Sequence, residues 1–336
     1  MLGLLVLTGT RQERKGYLLP MAVADGPILV TGAAGGSQGK TGRHVSELLL
    51  ARGAAVRAFV HTLDQRSAYL RDLGAEVVQG DFLDYASVAR AVQGASAIYF
   101  AYPVQAGLLE ATAIMADAAR RAGVPRLVDM VMLLSSPDAP TPRMRQNYLS
   151  EQIFEWANIG AVHLRATVFY ENVRALVRPT LSTSGKVRLP WGSERTMLPL
   201  TSGEDVARVA AGLLTSPSLV PGSAFPVISE VLSLREIIAT LGQALDQPVA
   251  YQEISDDQWR DGALAAGFNQ HAVDHLSQLW RTIRTAHQPY EATDTIVRLG
   301  GRPPKTFAEF VRAERETFIT PEREAVPTRR SEQAWT

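Results

Sequence analysis

The chain of 336 residues contains no cysteine. This absence excludes disulfide bonds, thiol nucleophiles, iron–sulfur clusters and zinc sites built on cysteine. Lysine is also scarce, because only Lys15, Lys40, Lys186 and Lys305 contribute to the 34 basic residues. A mechanism that depends on a lysine side chain therefore has few candidates.

No charge of one sign dominates, since 34 acidic residues balance the 34 basic ones. Proteins that bind nucleic acid directly usually concentrate positive charge, so we expect no nucleic-acid partner. No apolar run approaches the roughly 18–20 residues of a membrane-spanning helix. The first charges follow the apolar segment Met1–Leu7, whereas a signal peptide has its charges in front. We expect a soluble, cytoplasmic protein with no membrane partner.

The pattern of predicted strands and helices divides the sequence into two main parts. Residues 26–165 alternate short β-branched runs with helical patterns, which is typical of a parallel sheet covered by helices on both faces. Residues 166–319 are richer in proline and predict a smaller α+β lobe that binds the substrate. Residues 1–25 are expected to be a loosely attached extension, with Met21 as an alternative start. Residues 320–336 are charged and predict a disordered tail.

The first part predicts a doubly wound Rossmann sheet with strand order 3-2-1-4-5-6. Its predicted strands are Ile28–Thr31, Ala55–Val60, Glu76–Val78, Ala97–Phe100, Leu127–Leu134 and Ala161–Leu164. Helical spacing predicts helices that include Ser67–Leu73, Leu108–Ala122 and Tyr148–Ala157. Ligands of such sheets bind at the carboxyl ends of the strands, so functional residues are expected there.

A glycine-rich loop follows the first predicted strand and opens a helix. Glycines in this context allow a tight turn and bring backbone N–H groups against a pyrophosphate. The segment Gly36-Ser37-Gln38-Gly39 makes the loop longer than the plain dinucleotide fingerprint. The predicted cofactor-binding residues of the loop are Gly32, Gly35, Gln38, Gly39, Lys40, Thr41 and Gly42.

Gly39-Lys40-Thr41 also resembles the end of a P-loop. The motif G-x-x-x-x-G-K-[ST] requires a glycine five residues before Gly39, and Ala34 occupies that position. Gly35 is one residue too close. The spacing therefore favours a dinucleotide over a nucleoside triphosphate, and a glycine turn without a ligand is the remaining alternative.

The end of the second predicted strand indicates which dinucleotide is bound. A carboxylate there binds the ribose 2′-OH of NAD, whereas a cation accepts the 2′-phosphate of NADP. The strand ends in Val60-His61-Thr62, and Asp64 is the first carboxylate that follows. His61 and Arg66 therefore favour NADP(H), and NAD(H) is the alternative. A second alternative is that Arg66 is simply a solvent-exposed residue of the following helix.

Three further turns follow predicted strands. Asp81 and Phe82 are expected beside the adenine, although Asp81 is equally typical of a turn or helix cap. Tyr102 and Pro103, after the fourth strand, are expected on one side of the nicotinamide. Ser135, after the fifth strand, is expected on the other side or as a turn residue before a proline.

Several segments together resemble the NmrA-like family of atypical short-chain dehydrogenase/reductase proteins. They are Val30-Thr31-Gly32-Ala33-Ala34-Gly35, Lys40-Thr41-Gly42-Arg43-His44-Val45, Gly80-Asp81-Phe82, Ala118–Val124, Leu164-Arg165 with Phe169-Tyr170-Glu171-Asn172, and Gly301–Phe307. The resemblance implies a Rossmann domain that binds NAD(P)(H) and a small lobe that closes over the substrate. The family includes reductases of quinones and other unsaturated small molecules, and also redox sensors without chemistry.

The catalytic pair of ordinary short-chain dehydrogenases is missing. Those enzymes use a tyrosine and a lysine four residues later, and none of the nine tyrosines here has a lysine at that spacing. Tyr148 stands at the expected place but is followed by Gln152, and Asn147 stands where many relatives have lysine or histidine. The catalytic candidates are therefore Tyr148 and Asn147, with Tyr148 as a packing residue the alternative.

Two functional hypotheses follow. One is a reductase that transfers hydride from NADPH to a small substrate such as a quinone or enone. The other is a non-catalytic NADP(H) sensor that acts through a protein partner. A monomer and a homodimer are both compatible with the sequence.

Several other polar residues have a structural interpretation, alone or beside a functional one. Glu171 and Asn172 are expected to line the pocket or to cap a turn. Ser202, three residues before Asp205, predicts a helix cap. His271 and His275 lie four residues apart, but a metal site needs at least three ligands and no third ligand is evident, so we expect no metal.

Overall fold

The computed structural model describes residues 26–36, 39–285 and 289–320. The predicted extension 1–25, the loop residue Gln38 and the predicted tail beyond residue 320 lie outside the described residues. Among the described helices, none has the length and apolar character needed to span a bilayer.

The described residues form twelve strands and thirteen helices. The strands are β1 (Ile28–Thr31), β2 (Val56–Val60), β3 (Glu76–Gln79), β4 (Ala97–Phe100), β5 (Leu127–Met132), β6 (Ala161–Ala166), β7 (Val168–Phe169), β8 (Lys186–Leu189), β9 (Met197–Thr201), β10 (Ala224–Val227), β11 (Glu230–Ser233) and β12 (Ala250–Glu253). The helices are α1 (Thr41–Ala51), α2 (Gln65–Asp72), α3 (Tyr85–Val92), α4 (Leu108–Arg121), α5 (Pro142–Trp156), α6 (Tyr170–Ser184), α7 (Gly203–Thr215), α8 (Leu234–Leu245), α9 (Asp256–Ala265), α10 (Gln270–Thr285), α11 (Thr295–Gly300), α12 (Phe307–Ala313) and α13 (Arg315–Ile319).

The large sheet confirms the predicted Rossmann topology. Its strand order is β3-β2-β1-β4-β5-β6-β10, and every pair is parallel. Ile28 of β1 lies opposite Val56 of β2 and Ala97 of β4. All four residues of β1 and of β4 are buried, because helices cover both faces of the sheet.

The chain returns to this sheet after residue 165. Strand β10 pairs with β6 and extends the sheet by a seventh strand. Helix α7 packs against α1 and against β4, β5 and β6. The core on one face therefore includes Val206, Val209 and Leu213 of α7 together with Val45 and Leu49 of α1.

The smaller C-terminal lobe has the predicted α+β character. It contains the sheet β11-β9-β7 and the two-stranded sheet β12-β8. Its core includes Trp191 and Trp280, whose ring centroids are 5.4 Å apart, and also Phe307 and Phe310. The lobe therefore has an apolar core of its own, separate from the cores on the two faces of the large sheet.

Helix α5 begins earlier than the sequence analysis predicts. The predicted start near Tyr148 is wrong, because the helix begins at Pro142. The Thr141 side chain accepts a hydrogen bond from the Met144 N–H, and proline is well tolerated in the first turn of a helix. Tyr148 therefore lies in the second turn, where it is half-buried.

Candidate functional site

The glycine loop has the backbone geometry that only glycine adopts readily. Gly32, Gly35 and Gly39 have φ angles of 62°, 70° and 56°, in the left-handed region. At Gly42, a Cβ atom would lie 2.4 Å from the Thr31 carbonyl oxygen. The absence of a side chain therefore lets the start of α1 pack directly against the end of β1.

The start of α1 suits an anionic ligand. Lys40 precedes the helix, and no side chain among the described residues caps this end. The first turn, which begins with Thr41 and Gly42, contains no acidic residue. The first N–H groups of a helix lack intrahelical partners and carry partial positive charge, so this end fits a pyrophosphate.

A cavity of about 780 Å³ joins this loop to the carboxyl ends of β1 to β6 and to the smaller lobe. Most of the predicted site residues line it: Gly32, Gly35, Lys40, Thr41, Gly42, His61, Arg66, Asp81, Phe82, Tyr102, Pro103 and Asn147. Three predicted site residues are outside the described lining: Gly39, Ser135 and Tyr148. Gly39 directly precedes Lys40, which lines the cavity. Such a cleft has the position expected for the ligand site of a doubly wound sheet.

Arg66 lies at one end of the cavity and is held by the loop. Its Nη1 donates to the Gly35 carbonyl oxygen at 2.9 Å, and its Nη2 lies 2.6 Å from Asp64 Oδ2. The same Asp64 carboxylate caps α2, and the Arg66 guanidinium lowers the pKa of Asp64. The carboxylate is thus engaged with Arg66 and α2, while the half-exposed guanidinium remains beside the cavity.

His61 and Asp81 line the same cavity as Arg66 and follow β2 and β3. His61 Nε2 is 3.9 Å from Asp81 Oδ2, and both side chains are exposed. Asp81 Oδ1 also accepts a hydrogen bond from the Leu83 N–H at 2.9 Å, so the turn interpretation of Asp81 is confirmed while the residue also lines the cavity.

Aromatic rings form the wall between this end and the middle of the cavity. The Phe82 ring lies 5.4 Å from that of Phe59 and 5.2 Å from that of Tyr102, measured between centroids. Tyr102 Oη donates to the Ala106 carbonyl oxygen at 2.7 Å. The tyrosine hydroxyl is therefore already paired, and the ring acts as a fixed wall.

The two catalytic candidates differ in position. Asn147 is buried and lines the cavity, and its Oδ1 accepts a hydrogen bond from the Met132 N–H at 3.3 Å. Its amide nitrogen makes no hydrogen bond to the residues that the structure describes and can donate to a ligand. Tyr148 is on the same helix but outside the described lining. Ser135 is buried, with no partner for its Oγ in the described part of the chain.

Further lining residues were missed by the sequence analysis. They include Arg143 and Met144 on α5, Asn269, and His275, Leu276, Leu279 and Ile283 on α10, with Tyr290 beyond it. Asn172 also lines the cavity, as one of its two sequence interpretations predicted, and its Oδ1 has no partner among the described residues. No short motif marks the α10 residues, because they reach the site only through the packing of the smaller lobe.

Glu171 contacts the start of α7 instead of the cavity. Both of its carboxylate oxygens accept from the Gly203 N–H, at 3.2 and 3.1 Å. Ser202 accepts from the Asp205 N–H at 3.0 Å, which confirms the predicted helix cap. Burial raises the pKa of Glu171 to about 7.

This buried carboxyl predicts a pH-dependent stability. Because the folded pKa is above the ordinary value of 4.5, the folded protein binds more protons than the unfolded chain between about pH 4.5 and 7. Stability should therefore fall as the pH rises through that window. The isosteric Glu171→Gln variant should become more stable than the wild type by about 1–3 kcal/mol toward pH 7 and match it near pH 4.5. Urea unfolding at several pH values measures this difference, and a pH-independent difference would contradict it.

Among the described residues, including His271 and His275, no group of three or more potential metal ligands lies together. Burial lowers the pKa of both rings, and the positive charge of Arg143 lowers them further. For His275 the pKa falls to about 3, so this imidazole is neutral at physiological pH.

Comparison with known proteins supports the assignment of the family. The profile of the NmrA-like family matches residues 24–292. The (4-alkanoyl-5-oxo-2,5-dihydrofuran-3-yl)methyl phosphate reductase of Streptomyces griseus is 30% identical over 300 residues, which cover 87% of this chain and 99% of that protein. The NAD(P)H azoreductase of Xenophilus azovorans is 26% identical over 289 residues, which cover 84% and 97%.

The fold is similar to that of the triphenylmethane reductase of a Citrobacter species, crystallised as a complex with NADP(H). The TM-score is 0.72 at 21% sequence identity, and the match covers 85% of this chain and 99% of that one. The family profile spans most of this chain, and the predicted resemblance is confirmed. This chain belongs to the NmrA-like family.

Proposed function

We propose that this protein is an NADPH-dependent reductase that transfers a hydride to a small electrophilic substrate such as a quinone or enone. The observation that carries the proposal is the continuity of one cavity from the glycine loop and Arg66 to the apolar face of α10. The loop end suits a dinucleotide, and the α10 end suits an apolar substrate. The reductase activities of the Streptomyces and Xenophilus relatives support the same reaction class.

The residues at the loop end would hold the dinucleotide. The uncapped start of α1 suits the pyrophosphate, and Arg66 with His61 suits a 2′-phosphate. When bound, NADPH supplies the hydride from its nicotinamide ring. Tyr102 and Pro103 would limit the position of that ring, while Leu276, Leu279 and Ile283 would exclude water from the reacting centre.

Asn147 would polarise the substrate. Its Oδ1 is occupied by the Met132 N–H, which orients the amide so that the nitrogen is free to donate to a carbonyl oxygen in the cavity. A donor at this position stabilises the negative charge that develops on the oxygen during hydride transfer. Because Tyr148 is outside the described lining, we propose water as the proton source for the reduced product.

The sensor hypothesis shares the dinucleotide site but needs no electrophilic substrate. The absence of a lysine four residues after Tyr148 is the observation that favours it. The two hypotheses differ in one measurable outcome, which is oxidation of NADPH.

Anaerobic mixing of the protein with NADPH and menadione tests the proposal, with nicotinamide fluorescence reporting first binding and then oxidation. We expect oxidation well above the uncatalysed rate. Binding without oxidation across a panel of quinones and enones would support the sensor instead. No binding of NADPH or NADH would overturn both hypotheses.

Asn147→Asp tests the role of the Asn147 amide as a donor to the substrate. The variant keeps an oxygen that can accept from the Met132 N–H but removes the amide nitrogen. We expect kcat to fall by about 10²- to 10³-fold while the Kd for NADPH changes little. Gln146→Ala, at the adjacent position and outside the described lining, is the matched control. Tyr148→Phe tests the other candidate, since loss of a general acid costs about 10²- to 10⁴-fold and a much smaller loss would leave water as the proton source.

A further inference from the structure

Arg143 is an unusual residue in the wall of the cavity. Its side chain projects from α5, is only 3% exposed and lines the cavity. Nη1 donates to the Gln105 carbonyl oxygen at 2.9 Å, and Nη2 donates to those of Tyr102 and Pro103 at 3.2 and 2.8 Å. Its Nε has no hydrogen-bond partner in the described part of the chain. One donor of a buried guanidinium is therefore left unused.

Arg143 also has no direct ion-pair partner among the described residues. Its hydrogen-bond acceptors are all neutral backbone carbonyls, and its guanidinium carbon lies 5.7 Å from the centroid of the Tyr102 ring. The buried Asp129 carboxylate attracts it only from beyond ion-pair distance. Burial lowers the pKa of Arg143 to about 10, so the group stays charged at neutral pH. The described cavity lining has one carboxylate, Asp81, and it lies beside His61. Burying a cation without a direct ion pair is costly, which is the reason to infer that a ligand supplies the contacting negative charge.

A second polar group on α10 faces the same region. His275 is 5% exposed, lines the cavity and makes no hydrogen bond to the described residues. Its neutral ring can donate one hydrogen bond without adding charge. Leu276, Leu279 and Ile283 of the same helix continue the wall as an apolar surface. This end of the cavity thus combines a cation, a neutral donor and an apolar face.

We propose that Arg143 and His275 form a subsite for an anionic oxygen group of the substrate, such as a carboxylate, sulfonate or phosphate, whose apolar body lies against α10. The inference rests on the proposed function, because the rest of the cavity is assigned to the dinucleotide. It narrows the substrate from any quinone or enone to one that bears an acidic substituent. Arg143 would serve as a binding residue that sets specificity, and its bonds to the loop after β4 would fix its position.

A binding experiment tests the subsite without any turnover. Protein saturated with NADP⁺ is titrated by calorimetry with 2-naphthalenesulfonate and with the neutral 2-naphthalenemethanol. We expect the sulfonate to bind at least about tenfold more tightly, as one charge-assisted hydrogen bond allows. Equal affinities, or no binding of the sulfonate, would overturn the inference.

Two variants locate the effect. Arg143→Met should reduce the preference for the sulfonate by about 10- to 100-fold, and His275→Phe should reduce it by a smaller factor. Arg145→Met removes an exposed arginine of the same helix that is outside the described lining, and it should keep the wild-type preference. A preference that survives both Arg143→Met and His275→Phe would overturn the inference. If Arg143→Met does not fold, the preference for the sulfonate is measured in Arg143→Lys and His275→Phe instead.

The same variants distinguish this subsite from the dinucleotide site. A large loss of NADP⁺ affinity in Arg143→Met, with the sulfonate preference retained, would assign the guanidinium to the cofactor and overturn the inference. Failure of the proposed function is visible separately, as an absence of NADPH oxidation with menadione despite normal binding of the sulfonate. For an active protein, the ratio of kcat/KM for 1,4-naphthoquinone-2-sulfonate to that for 1,4-naphthoquinone should fall in Arg143→Met by the same 10- to 100-fold.

Discussion

Gly42→Ala should abolish tight binding of NADPH. The new Cβ would lie 2.4 Å from the Thr31 carbonyl oxygen and 2.6 Å from that of Gly32, and both are backbone atoms that cannot rotate away. The start of α1 must then move away from β1, and it carries the N–H groups assigned to the pyrophosphate. We expect the affinity for NADPH to fall by about 10- to 100-fold, as loss of charge-assisted hydrogen bonds to the pyrophosphate allows. Overpacking of this kind typically costs about 1–3 kcal/mol of stability.

Fluorescence titration with NADPH and thermal unfolding measure the two effects of Gly42→Ala. Gly262→Ala is the matched control, because Gly262 lies inside α9 and a Cβ atom there would meet nothing within 4 Å. That variant should bind NADPH normally and be as stable as the wild type or slightly more stable. Normal NADPH affinity in Gly42→Ala would mean that the first turn of α1 does not hold the dinucleotide.

Arg66→Gln should weaken NADPH binding by about 10- to 100-fold and change NADH binding by a much smaller factor, since only NADPH has a 2′-phosphate. The guanidinium lies beside the cavity, already oriented by Asp64 and by the Gly35 carbonyl oxygen. Competitive titration of each variant with both dinucleotides gives the ratio of the two Kd values.

Arg71→Gln provides the control for charge alone, because Arg71 is exposed in the last turn of the same helix and is not part of the described lining. Its ratio of Kd values should equal that of the wild type. An equal loss for NADPH and NADH in Arg66→Gln would contradict a phosphate contact. It would indicate instead that Arg66 acts by holding the glycine loop through Gly35.

The predictable part of the fold consists of local patterns. The buried runs Ile28–Thr31 and Ala97–Phe100 coincide with β1 and β4, because a fully buried parallel strand is apolar along its whole length. The glycine loop was also predictable, since left-handed backbone at Gly32 and Gly35 and close packing at Gly42 leave a signature in the residue types themselves.

The fold departs from the prediction at the start of α5 and in the return of β10 to the large sheet. The start of α5 is marked by Thr141 and Pro142, a helix cap and a first-turn proline that are recognisable in the sequence. The return of β10 to the large sheet had no such signal. Residues 224–227 form a short strand, and its partner is decided by which sheet edge the folded chain leaves open.

The sequence by itself determined the Rossmann topology, the position of the glycine loop and the presence of His61 and Arg66 after the second strand, because these depend on residues close together in the chain. Only the tertiary structure decided that Tyr148 is outside the described cavity lining and that Arg143 and His275, 132 positions apart, share one wall. The physical reason is that a helix face meets a cavity only through the packing of whole elements. That packing depends on the summed burial of many side chains, and no short motif records it.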